Sequence, residues 1–128
     1  MKIGYRQLVA EAESRIVAIG VEEAIALVDD PDTVIVDVRD IRELQREGRI
    51  PGSLHAPRGM LEFWVDPESP YHREIFASGK RFVFHCSKGW RSALATRTLQ
   101  DMGLAPVADI EGGFEAWVAA GGPVESKD

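Results

Sequence analysis

The stretch of the chain best suited to chemistry is FHCSKGWRSALA, residues 84–95, which contains the single cysteine, Cys86. An apolar run precedes Cys86, and Lys88, Gly89 and Arg91 follow it closely. Backbone amides in a turn between a strand and a helix can form an anion-binding nest, and the helix start adds partial positive charge. Such a setting stabilises a thiolate, so we predict that Cys86 is a partly exposed nucleophile that needs no histidine base. The alternative is a buried structural cysteine, the commoner fate of a lone cysteine.

Composition narrows the classes of function. The 128 residues, 45% of them hydrophobic, suit one soluble globular domain with a single core. Fifteen Lys and Arg against 21 Asp and Glu give a net charge of −6, which argues against a nucleic-acid binder. Any anionic ligand must therefore be attracted by a local positive site. One cysteine excludes an internal disulfide and a zinc site built from several cysteines, so we predict neither a metal nor a cofactor.

The N-terminal sequence lacks the apolar core of a signal peptide, and no apolar run is long enough to span a bilayer. We therefore expect a cytoplasmic protein in a reducing compartment, without membrane or nucleic-acid partners. The chain is expected to divide into an N-terminal helical extension, a main domain and a C-terminal tail, at residues 1–15, 16–122 and 123–128.

Short β-rich runs alternate with helical stretches, which predicts an α/β fold with a parallel sheet between two layers of helices. Ligands in such folds bind at the carboxyl ends of the strands, where Cys86 is expected to lie. The segment 57–80, broken by proline and glycine, is expected to hold little more than a helical turn at 60–64. The predicted strands are 17–19, 33–38, 54–56, 81–85 and 107–110, and the predicted helices are 5–15, 21–28, 41–47, 91–102 and 113–120.

Cys86-Ser-Lys-Gly-Trp-Arg resembles the active-site loop of rhodanese sulfurtransferases, whose general form is Cys-x-x-Gly-x-Arg or Thr. Three further segments are similar to that family, in order and at compatible spacing along most of the chain. They are VIVDVRD with Glu43, GRIPGSLHAP at 48–57 and EGGFEAW at 111–117.

The resemblance implies a five-stranded parallel sheet in a three-layer α/β/α fold. It also implies that Cys86 accepts a sulfane sulfur from a small donor such as thiosulfate, becomes a persulfide and passes the sulfur to a thiophilic acceptor, which could be a protein. Ser87 departs from the arginine often found there in thiosulfate-using members, which leaves the donor open. Cell-cycle phosphatases resemble the family in fold but have five residues between cysteine and arginine, where this chain has four. Phosphatase or arsenate reductase activity is therefore ranked below sulfur transfer.

Several other side chains have two interpretations each. Asp37 and Arg39 could support the loop, although a structural pair tied to Glu43 is favoured. Lys88 could hold an anionic donor or simply be solvated. Ser92 could bond to the sulfur, although capping of the following helix is favoured.

Aromatic residues could also surround Cys86 and form an apolar mouth. This raises an alternative function, a sulfur-relay or partner-binding module with little small-molecule turnover, whose docking surface would be the segment 60–71. The aromatic residues concerned are Phe63, Trp64, Tyr71 and Trp90.

Overall fold

The computed structural model describes residues 1–126 and contains one five-stranded, fully parallel sheet in the order β1-β5-β4-β2-β3. The predicted α/β class is confirmed, and each predicted strand lies within one residue of its observed bounds at either end. The strands are β1 (Ala18–Ile19), β2 (Thr33–Asp37), β3 (Leu54–His55), β4 (Arg81–His85) and β5 (Val107–Ile110).

Helices connect the strands and cover both faces of the sheet. The second helix ends at Ile25 rather than at the predicted Val28, because residues 26–29 continue as turns. Two short 3-10 turns, at Arg58–Met60 and Glu74–Ala77, lie in the segment expected to be irregular. The helices are α1 (Tyr5–Glu13), α2 (Val21–Ile25), α3 (Ile41–Glu47), α4 (Leu61–Val65), α5 (Trp90–Asp101) and α6 (Gly113–Ala119).

The middle strand β4 is buried because Phe82, Val83 and Phe84 place apolar side chains on both of its faces. On one face Phe82 and Phe84 of β4 belong to the same cluster as Leu99 of α5. On the other face Val83 of β4 packs in a second cluster with Trp117 of α6. Since β4 is the middle strand of five, the loop after it begins at the centre of the carboxyl edge.

Three large apolar side chains in or next to the helices are exposed: Leu8, Met102 and Val118. In α1 the buried positions are Val9 and Ala12, so Leu8 lies outside the buried face of the helix. Met102 follows the last residue of α5 and no longer shares its buried face.

Both ends of the described chain contact the rest of the fold. Helix α1 lies along α5, and the Gln100 side-chain amide donates to the Arg15 carbonyl at 2.7 Å. At the other end, Glu125 pairs with Arg49 and the Trp117 indole donates to the Pro123 carbonyl at 2.8 Å. Residues 127–128 of the proposed tail lie outside the described residues, and the division at 15 and 122 stays a prediction. Among residues 1–126, no helix has the length and apolarity to cross a membrane.

Candidate active site

The loop after β4 turns a backbone amide toward the cysteine sulfur. Gly89 takes a φ of 105°, a left-handed conformation that glycine adopts without a steric penalty, and its N–H donates to Cys86 Sγ at 3.1 Å. Helix α5 starts at the next residue, so the sulfur lies at the positive end of a 12-residue helix. Of the several backbone amides that the sequence predicts around the sulfur, the Gly89 N–H is the one in hydrogen-bond contact with Sγ among the described residues.

Cys86 is more enclosed than the sequence suggests. Only 1% of the residue is exposed, so the prediction of a partly exposed thiol is wrong. The first turn of α5 and the start of α6 cover it. Cys86 nevertheless lines a cavity of about 290 Å³ that is shared with loop residues and with one acidic residue of α3. The cavity is lined by Glu43, Cys86, Ser87, Lys88, Trp90 and Arg91.

The start of α6 supports the cysteine loop through two backbone hydrogen bonds. The Phe114 amide donates to the Cys86 carbonyl at 2.8 Å, and the Glu115 amide donates to the Ser87 carbonyl at 3.0 Å. Gly113 makes this approach possible, because a Cβ at that position would lie 2.7 Å from both carbonyl oxygens. The Gly-Gly-Phe segment was identified in the sequence only as part of a resemblance, and its contact with the cysteine loop was missed.

Arg91 is held at the rim of the cavity by a bidentate ion pair with Glu43. Its two terminal nitrogens donate to the two carboxylate oxygens at 2.7 and 2.9 Å. Hydrogen bonding from Arg91 lowers the pKa of Glu43, and the carboxylate raises the pKa of Arg91. The expected tie between Glu43 and the Asp37–Arg39 pair is therefore wrong, since Glu43 is engaged by the loop arginine.

The remaining loop side chains form the outer rim. Lys88 is exposed, and its ammonium lies 5.8 Å from the centre of the half-exposed Trp90 ring. Tyr5 of α1 packs on that ring with centroids 5.2 Å apart, a contact that sequence reasoning missed. The Ser87 hydroxyl donates to Glu115 at 3.3 Å. An exposed cation and an indole thus flank the opening above Cys86.

Ser92 contacts the sulfur rather than capping α5. Its hydroxyl is fully buried and donates to Cys86 Sγ at 3.5 Å, while the cap position is Gly89 and has no side-chain hydrogen bond. The favoured capping role is therefore wrong. Cys86 Sγ accepts from two donors, a backbone amide and a hydroxyl.

Asp37 and Arg39 form a buried pair below the strand ends and do not line the cavity. Arg39 donates to both carboxylate oxygens of Asp37, at 3.0 and 2.8 Å, and to the Gly48 carbonyl at 2.9 Å. Burial opposes the charge of Asp37, but these hydrogen bonds leave its pKa below the ordinary value. The pair lies outside the cavity, as the favoured interpretation of a structural pair expects, and Arg39 contacts Gly48 and, at 3.5 Å, Glu47 in addition to Asp37.

His85 completes this network beneath the loop. Burial lowers its pKa, so the ring is neutral near pH 7, and Nδ1 donates to the Cys86 carbonyl at 3.2 Å. Its Nε2 lies 3.7 Å from Asp37. The ring therefore supports the backbone of the loop and does not contact Sγ.

The other aromatic residues expected at the site are elsewhere. Trp90 alone of the four lines the cavity. Phe63 and Tyr71 are exposed away from the cavity, and Trp64 packs against the core under the Arg73 guanidinium, 4.1 Å from its ring centre. The predicted apolar mouth from residues 60–71 is therefore absent from the described cavity.

Comparisons with known proteins agree with this geometry. Residues 20–120 match the model of the rhodanese-like domain. The chain is 30% identical to a thiosulfate sulfurtransferase from Pseudoalteromonas translucida, over 80% of this chain and 89% of that protein. It is also 30% identical to a mouse thiosulfate sulfurtransferase/rhodanese-like domain-containing protein, over 75% of this chain but only 64% of the mouse protein.

Among solved structures, one from Rhodopseudomonas palustris is 55% identical and superposes with a TM-score of 0.95, covering 98% of this chain and 96% of that one. It is described as a protein of unknown function and possible tyrosine phosphatase. The family match spans most of the chain and includes every residue that lines the cavity. The chain therefore belongs to the rhodanese-like domain family.

Proposed function

We propose that this protein is a sulfurtransferase that carries a sulfane sulfur on Cys86. The observation that carries the proposal is the Gly89 amide directed at Cys86 Sγ at 3.1 Å, in a loop with four residues between cysteine and arginine. A donor aimed at sulfur stabilises the thiolate and the anionic persulfide alike. The sulfurtransferase relative from Pseudoalteromonas translucida supports the same reaction class.

The reaction has two displacement steps. The Cys86 thiolate attacks the outer sulfur of a donor such as thiosulfate, the sulfur–sulfur bond of the donor breaks, and sulfite leaves with the electron pair. The acceptor, for example cyanide, then attacks the terminal persulfide sulfur and releases the Cys86 thiolate. The sulfane sulfur moves without an added oxidant or reductant, and the mechanism predicts ping-pong kinetics.

Positive groups at the rim suit an anionic donor. Lys88 is exposed and projects beside Trp90 at the opening, whereas the charge of Arg91 is neutralised by Glu43. Since the protein as a whole has a net charge of −6, Lys88 is the local attraction for a donor dianion. Its proposed role is binding rather than chemistry.

Intact mass spectrometry after incubation with thiosulfate tests the proposal. The wild-type protein should gain the mass of one sulfur atom, and the gain should disappear after addition of cyanide. A Cys86→Ser variant should gain nothing, because a hydroxyl does not form the persulfide. A wild-type mass unchanged by both thiosulfate and a polysulfide donor would contradict the proposal.

A second candidate is phosphatase activity, which the description of the structure from Rhodopseudomonas palustris favours. The geometry opposes it, since the Arg91 guanidinium is occupied by Glu43 at 2.7 and 2.9 Å and is not free to bind phosphate oxygens. We expect no Cys86-dependent phosphate release from an aryl phosphate. Release by the wild type that is lost in Cys86→Ser would establish the phosphatase instead.

A further inference from the structure

The N-terminal helix brings an aromatic side chain to the mouth of the candidate active site. The Tyr5 ring of α1 packs on the Trp90 ring of the cysteine loop, with centroids 5.2 Å apart and ring planes inclined at 44°. Tyr5 precedes residues 20–120, the part of the chain that matches the rhodanese-like domain. Both rings stay about half exposed, Tyr5 at 51% and Trp90 at 50%. Tyr5 and Trp90 thus form an aromatic wall that is still open to solvent.

Trp90 is the part of the aromatic wall that faces the sulfur. It lines the same cavity as Cys86, whereas Tyr5 is not among the lining residues and contacts the indole from outside. The helix that carries Tyr5 is fixed in turn, because α1 packs along α5 and the Gln100 amide donates to the Arg15 carbonyl at 2.7 Å. Packing of the two rings therefore restricts the orientation of the Trp90 side chain at the cavity.

The cavity has more room than a small inorganic ion needs. A cavity of about 150 Å³ is enough to bind benzene, so about 290 Å³ has room for a six-membered ring and a small polar group. A sulfur atom bound to Cys86 would lie about 2 Å from Sγ and leave most of that volume free. The space beside Trp90 therefore suits an organic molecule.

The charges of the cavity lining favour an anion. Glu43 and Arg91 neutralise each other through contacts of 2.7 and 2.9 Å. The remaining positive charge of the lining is the ammonium of Lys88, 5.8 Å from the centre of the Trp90 ring. An apolar ring surface and one positive charge are thus placed side by side above Cys86.

We propose that the aromatic wall of Tyr5 and Trp90 selects the sulfur acceptor, and that the acceptor is an organic thiol carrying an aromatic ring and an anionic group. The ring of the acceptor packs on Trp90, and its anionic group pairs with Lys88. Trp90 contacts the acceptor directly, while Tyr5 is a positioning residue that acts through Trp90. This inference rests on the proposed function and names the acceptor class of that reaction.

The transfer step balances without another reactant. The acceptor thiolate attacks the terminal sulfur of the Cys86 persulfide, a bond forms between those two sulfurs, and the bond to Sγ breaks. Its electron pair stays on Sγ, where the Gly89 N–H at 3.1 Å stabilises the departing thiolate. The proton of the acceptor thiol ends on the terminal sulfur, so the product is an organic persulfide. Because the donor leaves before the acceptor enters, Lys88 serves both anions in turn.

Decay of a preformed Cys86 persulfide, followed by intact mass, tests the selection by the ring. Rate constants are measured with 4-mercaptobenzoate and with 3-mercaptopropionate, which has the carboxylate but no ring. Comparing their ratio between variants cancels the intrinsic reactivity of each thiol. Trp90→Leu should lower the ratio of the mercaptobenzoate to the mercaptopropionate rate constant about 2- to 10-fold, the effect of one aromatic pair, and Tyr5→Ala should lower it in the same direction.

A second comparison tests the selection by charge. Lys88→Gln should slow the reaction of 4-mercaptobenzoate relative to that of its methyl ester by up to about fivefold, and the effect should shrink in 1 M salt. Tyr71→Ala is the matched control for both comparisons, because it removes an aromatic side chain that is 60% exposed but lies away from the cavity. Tyr71→Ala should leave both ratios unchanged, and circular dichroism verifies that each variant is folded.

An unchanged acceptor ratio in Trp90→Leu, even with both rate constants reduced, would overturn the proposal. Should Trp90→Leu fail to fold, an unchanged ratio in Tyr5→Ala would overturn it instead. Equal reactivity losses for 4-mercaptobenzoate and its methyl ester in Lys88→Gln would overturn the requirement for an anionic acceptor.

Binding without transfer separates this inference from the proposed function. In the Cys86→Ser protein, 4-(methylthio)benzoate, which has no thiol, should shift the indole N–H signal of Trp90 in NMR spectra. Adding Tyr5→Ala should raise the dissociation constant about 2- to 10-fold. A wild type that gains no sulfur from any donor refutes sulfur transfer, whereas this titration still decides the role of the aromatic wall. A wild type that forms the persulfide while 4-(methylthio)benzoate leaves the Trp90 signal unmoved refutes the aromatic wall alone.

Discussion

Replacing Arg39 by methionine is expected to lower the free energy of unfolding by about 3–5 kcal/mol, which is the usual cost of removing one partner from a buried ion pair. Arg39 and Asp37 are both fully buried, and the guanidinium also lies 4.2 Å from the centre of the Phe114 ring. Methionine fills much of the same volume but leaves the Asp37 carboxylate without its charge partner. Urea unfolding at pH 7 measures the loss.

Two comparisons assign that loss to the uncompensated charge. Arg42→Met breaks the pair with Asp40 on the surface, where the Arg42 side chain is 78% exposed, and should cost far less stability than Arg39→Met. Adding Asp37→Asn to Arg39→Met removes the unpaired charge and should recover part of the stability. The deficit should also shrink in acid, since protonation of Asp37 neutralises the carboxyl group. A deficit equal to that of Arg42→Met would contradict the structural role assigned to the pair.

Local features of the sequence predicted the elements well because their causes are local. Helix α3 matches its predicted bounds, since Asp40 and Glu43 form a capping box at its start and Gly48, with a φ of 84°, ends it. Strand β4 also matches, because its three central residues, Phe82, Val83 and Phe84, are apolar on both faces and suit the middle of a covered sheet. The left-handed Gly89 follows from the same kind of local reasoning.

The parts of the site that were mispredicted depend on distant segments. Burial of Cys86 requires α6 to bring Gly113 against the loop, 27 residues further along the chain. The Glu43–Arg91 pair joins residues 48 positions apart, and nothing near Glu43 indicates that partner. The positions of Phe63 and Tyr71 depend on the path of a segment that contains several prolines and glycines, which periodicity does not determine.

Sequence reasoning did not single out Asp109, although the sequence contains a signal for it. The run VADI at 107–110 was assigned to a strand of a sheet covered on both faces, where every position is buried. A carboxyl group in such a strand needs a partner or a raised pKa. Asp109 in such a strand is therefore a sequence signal for an unusual acid, and sequence reasoning missed it.

Asp109 should make the free energy of unfolding fall as the pH rises, which is opposite to the effect of most carboxyl groups. The pKa of Asp109 is raised from 3.8 to about 7, so between these values the folded protein holds a proton that the unfolded chain has lost. The stability that the protonated Asp109 gives the folded state is therefore fully present below about pH 4. It declines as the pH rises and is fully lost above about pH 7. Carboxyl groups with lowered pKa values, Asp37 and Glu43, instead lose their stabilising effect as the pH falls.

Asp109→Asn isolates this effect, since the amide does not titrate. Relative to wild type, the variant should gain stability steadily from pH 5 to about pH 7 and level off at higher pH, with a ceiling of roughly 4 kcal/mol set by the difference between the folded and unfolded pKa values. Urea unfolding at several pH values gives the difference directly, and Asp101→Asn at the exposed end of α5 serves as the matched substitution. If burying the introduced amide has a fixed cost, that cost shifts the stability difference by the same amount at every pH and does not change its slope. A difference between Asp109→Asn and wild type that stays constant from pH 5 to pH 7 would mean that the folded protein holds no extra proton on Asp109 in that range, and that burial does not raise the pKa of this carboxyl group.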